Sequence, residues 1–147
     1  MTLKQWLENR WLTQYQTSKQ EIATLLTVID RDLQDAEVSA LSLDWRMAIA
    51  YNAALQCALT ALAAEGYRPG RGGSHHYYAV ESLRFTLDPG EDTVITLDAY
   101  RRKRNISDYQ RAGVASETEV QQLHELASSL RTRLLKWLRE RHPHLTP

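Results

Sequence analysis

Four polar residues of the sequence fall where a helical pattern calls for apolar side chains: Arg101, Arg104, Asn105 and Asp108. Val94 and Leu97 define the apolar face of a helix, and a step of about 100° per residue carries that face onto these polar groups. Burying guanidinium and carboxylate groups without partners is costly, so they must pair with each other, meet water or bind a ligand. Arg104 and Asp108 are one helical turn apart and can form an ion pair. Two interpretations stay open: a helix end that emerges into solvent, or a polar site at one end of the molecule.

A second set of basic residues lies in and just after the Gly-rich segment 66–74: Arg68, Arg71, His75 and His76. A helix from Ser74 to Thr86 is about 18 Å long, and a return helix from Glu91 to Tyr109 is about 28 Å long. An antiparallel return would bring the two basic sets to the same end of the molecule. Backbone N–H groups after a capping Ser74 would add an anion-binding element. Together, these N–H groups and the basic side chains predict a phosphate site. The alternative is a flexible connector with solubilising arginines.

The sequence predicts neither a metal site nor a cofactor. His75 and His76 are adjacent and point about 100° apart in a helix, which makes them poor co-ligands. The other histidines have neither the HExxH spacing nor an acidic partner in a recognisable pattern. Cys57 lies in the most apolar helix, so we interpret it as a packing residue.

Helical patterns account for the elements that must position these groups. Ser-x-x-Glu capping boxes begin two amphipathic helices, at Ser18 and at Ser116. A helix from Ser42 to about Glu65 is apolar on every side, as a central helix must be. Shorter helices run from Ser74 to Thr86 and from Glu91 towards Tyr109. The fold class predicted is therefore all-α, an antiparallel bundle of four to five helices.

The whole chain, residues 1–147, is expected to form a single domain. Residues 1–16 form an N-terminal amphipathic segment and residues 142–147 a tail. The segment 92–97, DTVITL, is the one stretch that could pass for a strand. No hairpin pattern accompanies it, so we assign it to a helix.

The 147 residues include 18 Lys plus Arg and 18 Asp plus Glu, so the formal net charge is zero. This balance argues against a broad basic coat for nucleic acid and leaves room for a compact basic patch at 101–104. The single Cys excludes an internal disulfide and favours a reducing compartment. The N-terminus lacks the apolar stretch of a signal peptide, and polar residues interrupt the apolar segment 47–64. We therefore expect a soluble cytoplasmic protein that does not cross a membrane.

The segment Arg101-Arg-Lys-Arg-Asn-Ile-Ser-Asp-Tyr109 resembles the signature of the HEPN superfamily, all-α bundles named for higher eukaryotes and prokaryotes nucleotide-binding. That signature is Arg, usually followed by Asn or another polar residue, and then His four to six positions on. Residues 50–66 resemble the long helix that precedes the motif, and Gly73-Ser-His-His76 is similar to its Gly/His entry into the following helix. The likeness covers roughly residues 18–138 in architecture and is closest to a bacterial stand-alone subgroup with Arg-Asn-x-x-Asp-Tyr.

The resemblance implies a symmetric homodimer that acts on RNA as a metal-independent endoribonuclease. Arg104 would then stabilise the scissile phosphate and Asn105 would orient it, with Asp108 completing the motif. Tyr109 occupies the position where active members carry His. A Tyr pKa near 10 is poorly matched to removing a proton from a ribose 2′-hydroxyl at neutral pH, so weakened catalysis is expected. Relatives also pair with a nucleotidyltransferase as toxin and antitoxin.

Two other functions stay open from the residues alone. The protein could be a non-catalytic interaction protein that docks a nucleotidyltransferase, with Trp6 and Trp11 contributing to the interface. It could instead bind a nucleotide or another small molecule in a pocket lined by residues of the loop end: Arg68, Arg71, His75, His76 and Tyr77.

Overall fold

The computed structural model describes residues 1–106 and 115–147. Within these ranges the helices are α1 (Leu3–Glu8), α2 (Lys19–Asp35), α3 (Leu43–Ala64), α4 (His75–Ser82), α5 (Glu91–Ile106) and α6 (Glu117–Arg141). Two short strands, β1 (Leu12–Gln14) and β2 (Tyr67–Pro69), and two 3-10 turns, Leu83–Phe85 and Pro143–Leu145, complete the described elements. The predicted all-α bundle is confirmed, with a small sheet added to it.

Helix α3 lies at the centre of the bundle. Of its 22 residues 12 are buried, and most of these are alanines. Their small side chains allow α2, α4 and α6 to pack against the helix. By length and composition α3 could cross a membrane, as no other helix in the described ranges could, and 61% of that apolar window is buried inside the protein. This burial is typical of a core helix, as the sequence predicts for the segment.

Polar contacts between helices fix the directions in which they run. Arg46, near the start of α3, pairs with Glu117 at the start of α6, with 3.3 Å between nitrogen and oxygen. His142, directly after α6, lies 3.7 Å from the carboxylate of Glu65, which ends α3. Helices α3 and α6 therefore run parallel. This parallel pair is compatible with an antiparallel bundle, because α5 lies between the two helices in chain order and runs in the opposite direction.

Three helices begin where the sequence predicts, each capped by a side-chain hydroxyl, those of Ser18, Ser42 and Ser116. At α6 the Glu119 carboxylate accepts a hydrogen bond from the backbone N–H of Ser116, which completes the predicted capping box. At α2 the Glu21 carboxylate accepts hydrogen bonds from the hydroxyls of Tyr15 and Thr17 instead. The acid predicted to cap α2 thus ties the helix to the segment that precedes it.

The cap predicted at Ser74 is wrong. Ser74 has a left-handed backbone with φ of 60°, and its side chain makes no hydrogen bond to the first turn of α4. A serine in that conformation cannot aim its hydroxyl back at the helix in the usual way, because an N-cap residue is normally extended. Helix α4 also ends at Ser82 and continues only as the 3-10 turn to Phe85.

The small sheet pairs two segments that lie far apart in the sequence. Strands β1 and β2 are antiparallel, with Thr13 opposite Arg68 in the register. Because β1 precedes α2 and β2 follows α3, the sheet brings the start of α2 and the end of α3 to the same end of the molecule. These two helices therefore run antiparallel, as predicted. Three-residue strands are too short to show a two-residue periodicity, so no sequence pattern predicts them.

Both terminal segments pack onto the bundle. Trp6 is 6% exposed and forms edge-to-face contacts with Trp11, Tyr78 and Phe85 at centroid distances of 5.2–5.8 Å. Such aromatic pairs add to the stability gained by burial. Leu145 in the tail is 8% exposed and belongs to the main core. The tryptophans considered for docking a partner thus cover the core, which is the more common role of such residues.

Gly70 is required where β2 ends against β1. A Cβ added there would lie 2.6 Å from the backbone oxygen of Arg10, and the Gly70 N–H donates to the oxygen of Trp11 at 2.8 Å. Because backbone atoms cannot yield easily, we expect Gly70→Ala to lower the free energy of unfolding by about 1–3 kcal/mol. Urea denaturation measures the loss. The matched control is Gly72→Ala, where nothing lies within 4 Å of the new methyl group; an equal loss in both variants would contradict the steric explanation.

Candidate phosphate-binding site

The predicted motif is described in part. Asp108 and Tyr109 lie outside the described residues. Arg104 and Asn105 are described by their place in α5 alone. Arg101, the first residue of the basic run, is described with its side chain.

The apolar face of α5 is buried as predicted, and Arg101 follows it. Val94 and Leu97 are 1% and 0% exposed. One turn further on, the half-buried Arg101 donates from Nε to Asp98 Oδ1 at 2.8 Å. Asp98 Oδ2 lies 3.2 Å from Nε of the exposed Arg102. The carboxylate thus holds two guanidinium groups of the same helix.

Asp98 is a site residue that the sequence reasoning missed. Its spacing of three and four residues from Arg101 and Arg102 was the available sign, since such pairs are neighbours on a helix surface. Asp98 balances one positive charge of this stretch, while Arg101, Arg102 and Lys103 supply three. The described part of the basic run therefore keeps a positive excess.

Tyr77 connects this part of α5 to α4. The guanidinium carbon of Arg101 lies 5.3 Å from the centroid of the Tyr77 ring, a distance at which the cation is attracted to the ring face. Tyr77 is itself 38% exposed. The predicted return of α5 towards the start of α4 is thus confirmed at Arg101.

His75 and His76 are the first two residues of α4, and both are exposed. The His76 ring lies 6.1 Å from the ring of Tyr51, which is fully buried in α3. Tyr51 also contacts Tyr100 of α5, with 4.8 Å between centroids. Rings from α3, α4 and α5 therefore meet directly beside Arg101, and His76 belongs to the same end of the bundle.

Arg68 lies in β2 and Arg71 in the loop before α4, whereas His76 lies beside Tyr51. The Arg68 guanidinium lies over the Tyr15 ring at 5.1 Å, beside the first turn of α2. The hydrogen bond that Tyr15 donates to Glu21 raises the pKa of this phenol. Arg68 thus contributes to the junction between the sheet and α2. Arg71 is exposed in the loop before α4.

A cavity of about 270 Å³ lies between α5 and α6. Its lining consists of Pro89, Asp92, Thr93, Thr96, Leu126, Ser129, Leu130 and Arg133. None of the loop-end residues predicted to form a nucleotide pocket is among them. Among the described side chains, no group of three or more His, Cys, Asp or Glu is arranged to hold a metal ion.

Comparison with protein-family models, with curated proteins and with solved structures gives no match for this chain. The HEPN likeness therefore stays a prediction that rests on the quoted residues.

Cys57 is fully buried in α3, and this burial raises the pKa of its thiol to about 12. Because the thiolate is the reactive form, we expect a disulfide reagent such as Ellman's to leave the native protein unlabelled at mildly alkaline pH. Denaturation should then release one reactive thiol for each chain. Absorbance of the released chromophore measures both states. Rapid labelling of the native protein would contradict the packing role.

Proposed function

We propose that the protein is a HEPN-like homodimer that binds the phosphate groups of RNA or of a nucleotide at the basic end of α5. The observation that carries this proposal is the position of Arg101, which is held by Asp98 and by Tyr77, the residue that follows two exposed histidines at the start of α4. The proposal places the protein in the cytoplasm, where RNA is accessible to it.

The geometry of Arg101 suits phosphate recognition. A guanidinium has five N–H donors in a fixed fork, and the pair with Asp98 uses the one on Nε. Holding the group at Nε restrains the side chain before a ligand arrives, so less rotamer freedom is lost on binding. A phosphate can then accept two parallel hydrogen bonds from the terminal amino groups.

The neighbouring rings suit a nucleic-acid ligand. Tyr77, which contacts Arg101, and the two histidines that precede it in α4 are exposed. Unpaired RNA bases stack on aromatic and histidine rings, whereas the bases inside a duplex are not accessible to them. Single-stranded RNA is therefore the form that this surface would prefer. Arg102 and Lys103, both exposed, would add contacts to neighbouring phosphates.

Binding is tested with fluorescein-labelled single-stranded RNA and fluorescence anisotropy at low salt. We expect Arg101→Gln to weaken binding by about tenfold or more, because a charge-assisted hydrogen bond to phosphate is lost. The slope of log K against log salt should also fall by about one for each phosphate contact removed. The matched control is Arg139→Gln, which removes an exposed arginine from the last turn of α6. Equal affinities of both variants, with unfolding midpoints unchanged, would contradict the proposal.

Cleavage is tested separately, on the same RNA with a gel assay in the presence of a chelator. In the proposed mechanism Arg104 stabilises the scissile phosphate, Asn105 orients it, and Tyr109 is a weak substitute for the usual base. We therefore expect Arg104→Ala to abolish any cleavage, and Tyr109→His to raise it by about 10²-fold, because imidazole titrates near neutral pH. Tyr109→Phe serves as the control. If cleavage depended on neither residue, the binding proposal would remain and the ribonuclease assignment would be wrong.

A further inference from the structure

Three large apolar side chains are exposed together at the turn between α2 and α3. Val38 is 44% exposed, Leu41 is 37% exposed and Trp45 is 65% exposed. Single exposed apolar residues are common on soluble proteins, but a group that includes a tryptophan indicates an interaction surface. We call this surface, together with the carboxylates of Asp35 and Glu37, the α2–α3 corner.

The backbone beneath the α2–α3 corner is well connected. The N–H of Leu41 donates to the oxygen of Val38, and the N–H of Trp45 donates to the Ser42 hydroxyl, both at 3.1 Å. Arg46 donates from Nε to the oxygen of Ala36 at 2.7 Å, which ties the end of α2 to the start of α3. The apolar side chains are therefore presented on a fixed support, as a preformed binding surface requires.

The exposed carboxylates of Asp35 and Glu37 lie at the negative end of the α2 helix dipole. Asp35 is the last residue of α2 and Glu37 follows its C-terminal cap, whereas the last turn of α2 carries no basic residue. The C-terminal end of a helix is negative and favours cations, so acidic groups there are unfavourable. Both residues are exposed, and the Glu37 carboxylate lies 3.2 Å from the partly exposed His124. Arg46 compensates the Ala36 oxygen from the buried side, so a Lys or Arg brought by a partner would meet the two carboxylates on the exposed side.

We propose that the α2–α3 corner binds a basic amphipathic segment of a partner protein. An apolar side chain of the segment packs on Trp45, and its Lys or Arg side chains face Asp35 and Glu37. Three side chains expose much less than the roughly 800 Å² per partner that a standard interface buries. A single segment therefore fits the corner better than a whole second subunit. The proposal uses no residue of the phosphate site and does not depend on the proposed function.

The test uses a library of short random peptides displayed on phage and selected on the full-length protein at low salt. Peptides that also bind Trp45→Ser are removed by counter-selection. We expect the remaining peptides to be enriched in Lys and Arg with one aromatic or branched aliphatic residue. The synthetic form of the best peptide should bind at least about tenfold less tightly to Trp45→Ser, as for an interface hot spot. Binding should weaken similarly for the double variant Asp35→Lys/Glu37→Lys, and should fall as salt is raised.

Ile95→Ser is the matched control, because Ile95 is 50% exposed on α5. This variant should bind the peptide as the wild type does, and Trp45→Phe should recover most of the affinity. Selected peptides without basic enrichment, or the absence of any that depends on Trp45, would overturn the proposal. Analytical ultracentrifugation covers the remaining outcome: a dimer of this chain that Trp45→Ser dissociates would show that a second copy occupies the corner.

Discussion

The structure depends on the burial of α3 on nearly all of its sides. Packing of α2, α4 and α6 around a single helix requires small side chains, and the alanines of its second half provide them. The same burial means that polar groups on α3 need partners inside the protein. Asn52 donates to the buried Asp32 of α2 at 2.7 Å, and Thr60 donates to the backbone oxygen of Gln56 at 2.6 Å. The polar contact between Asn52 of α3 and Asp32 of α2 is thus a consequence of burying α3.

The candidate site lies beside the part of α3 where aromatic rings, and not alanines, make the contacts with α4 and α5. Tyr51 is the last large side chain before the alanine-rich part of α3, and it meets rings from α4 and α5. Beyond those rings α5 carries guanidinium groups instead of apolar side chains. Asp98 compensates part of their positive charge, and this stretch of α5 keeps a net positive charge. A compact basic site in a chain of zero net charge is the result.

Local patterns were sufficient for most of the fold. The helix start at Ser42, the capping box at Ser116 and the buried pair Val94 and Leu97 depend on neighbours within one or two helical turns, and the sequence predicts all of them. The sequence did not predict features that are determined by contacts between residues far apart in the chain. The strand pairing depends on contacts between segments that lie far apart in the chain, and the left-handed Ser74 shows no local signature. At the site, the sequence predicts that Arg101 and His76 share one end of the bundle, whereas Asp98 supports two guanidinium groups and carries no ligand-binding signal of its own.

The pairing of β1 with β2 also bears on how the chain folds as it leaves the ribosome. Strand β1 emerges first, but its partner follows only after both long helices α2 and α3 have been made. Contacts that are distant in sequence form late, because a long loop must close before they stabilise the structure. Until then the aromatic residues of the N-terminal segment have no surface to cover. The nascent protein therefore exposes Trp6 and Trp11 until residues 67–85 have been made, and a chaperone would contribute most at this stage.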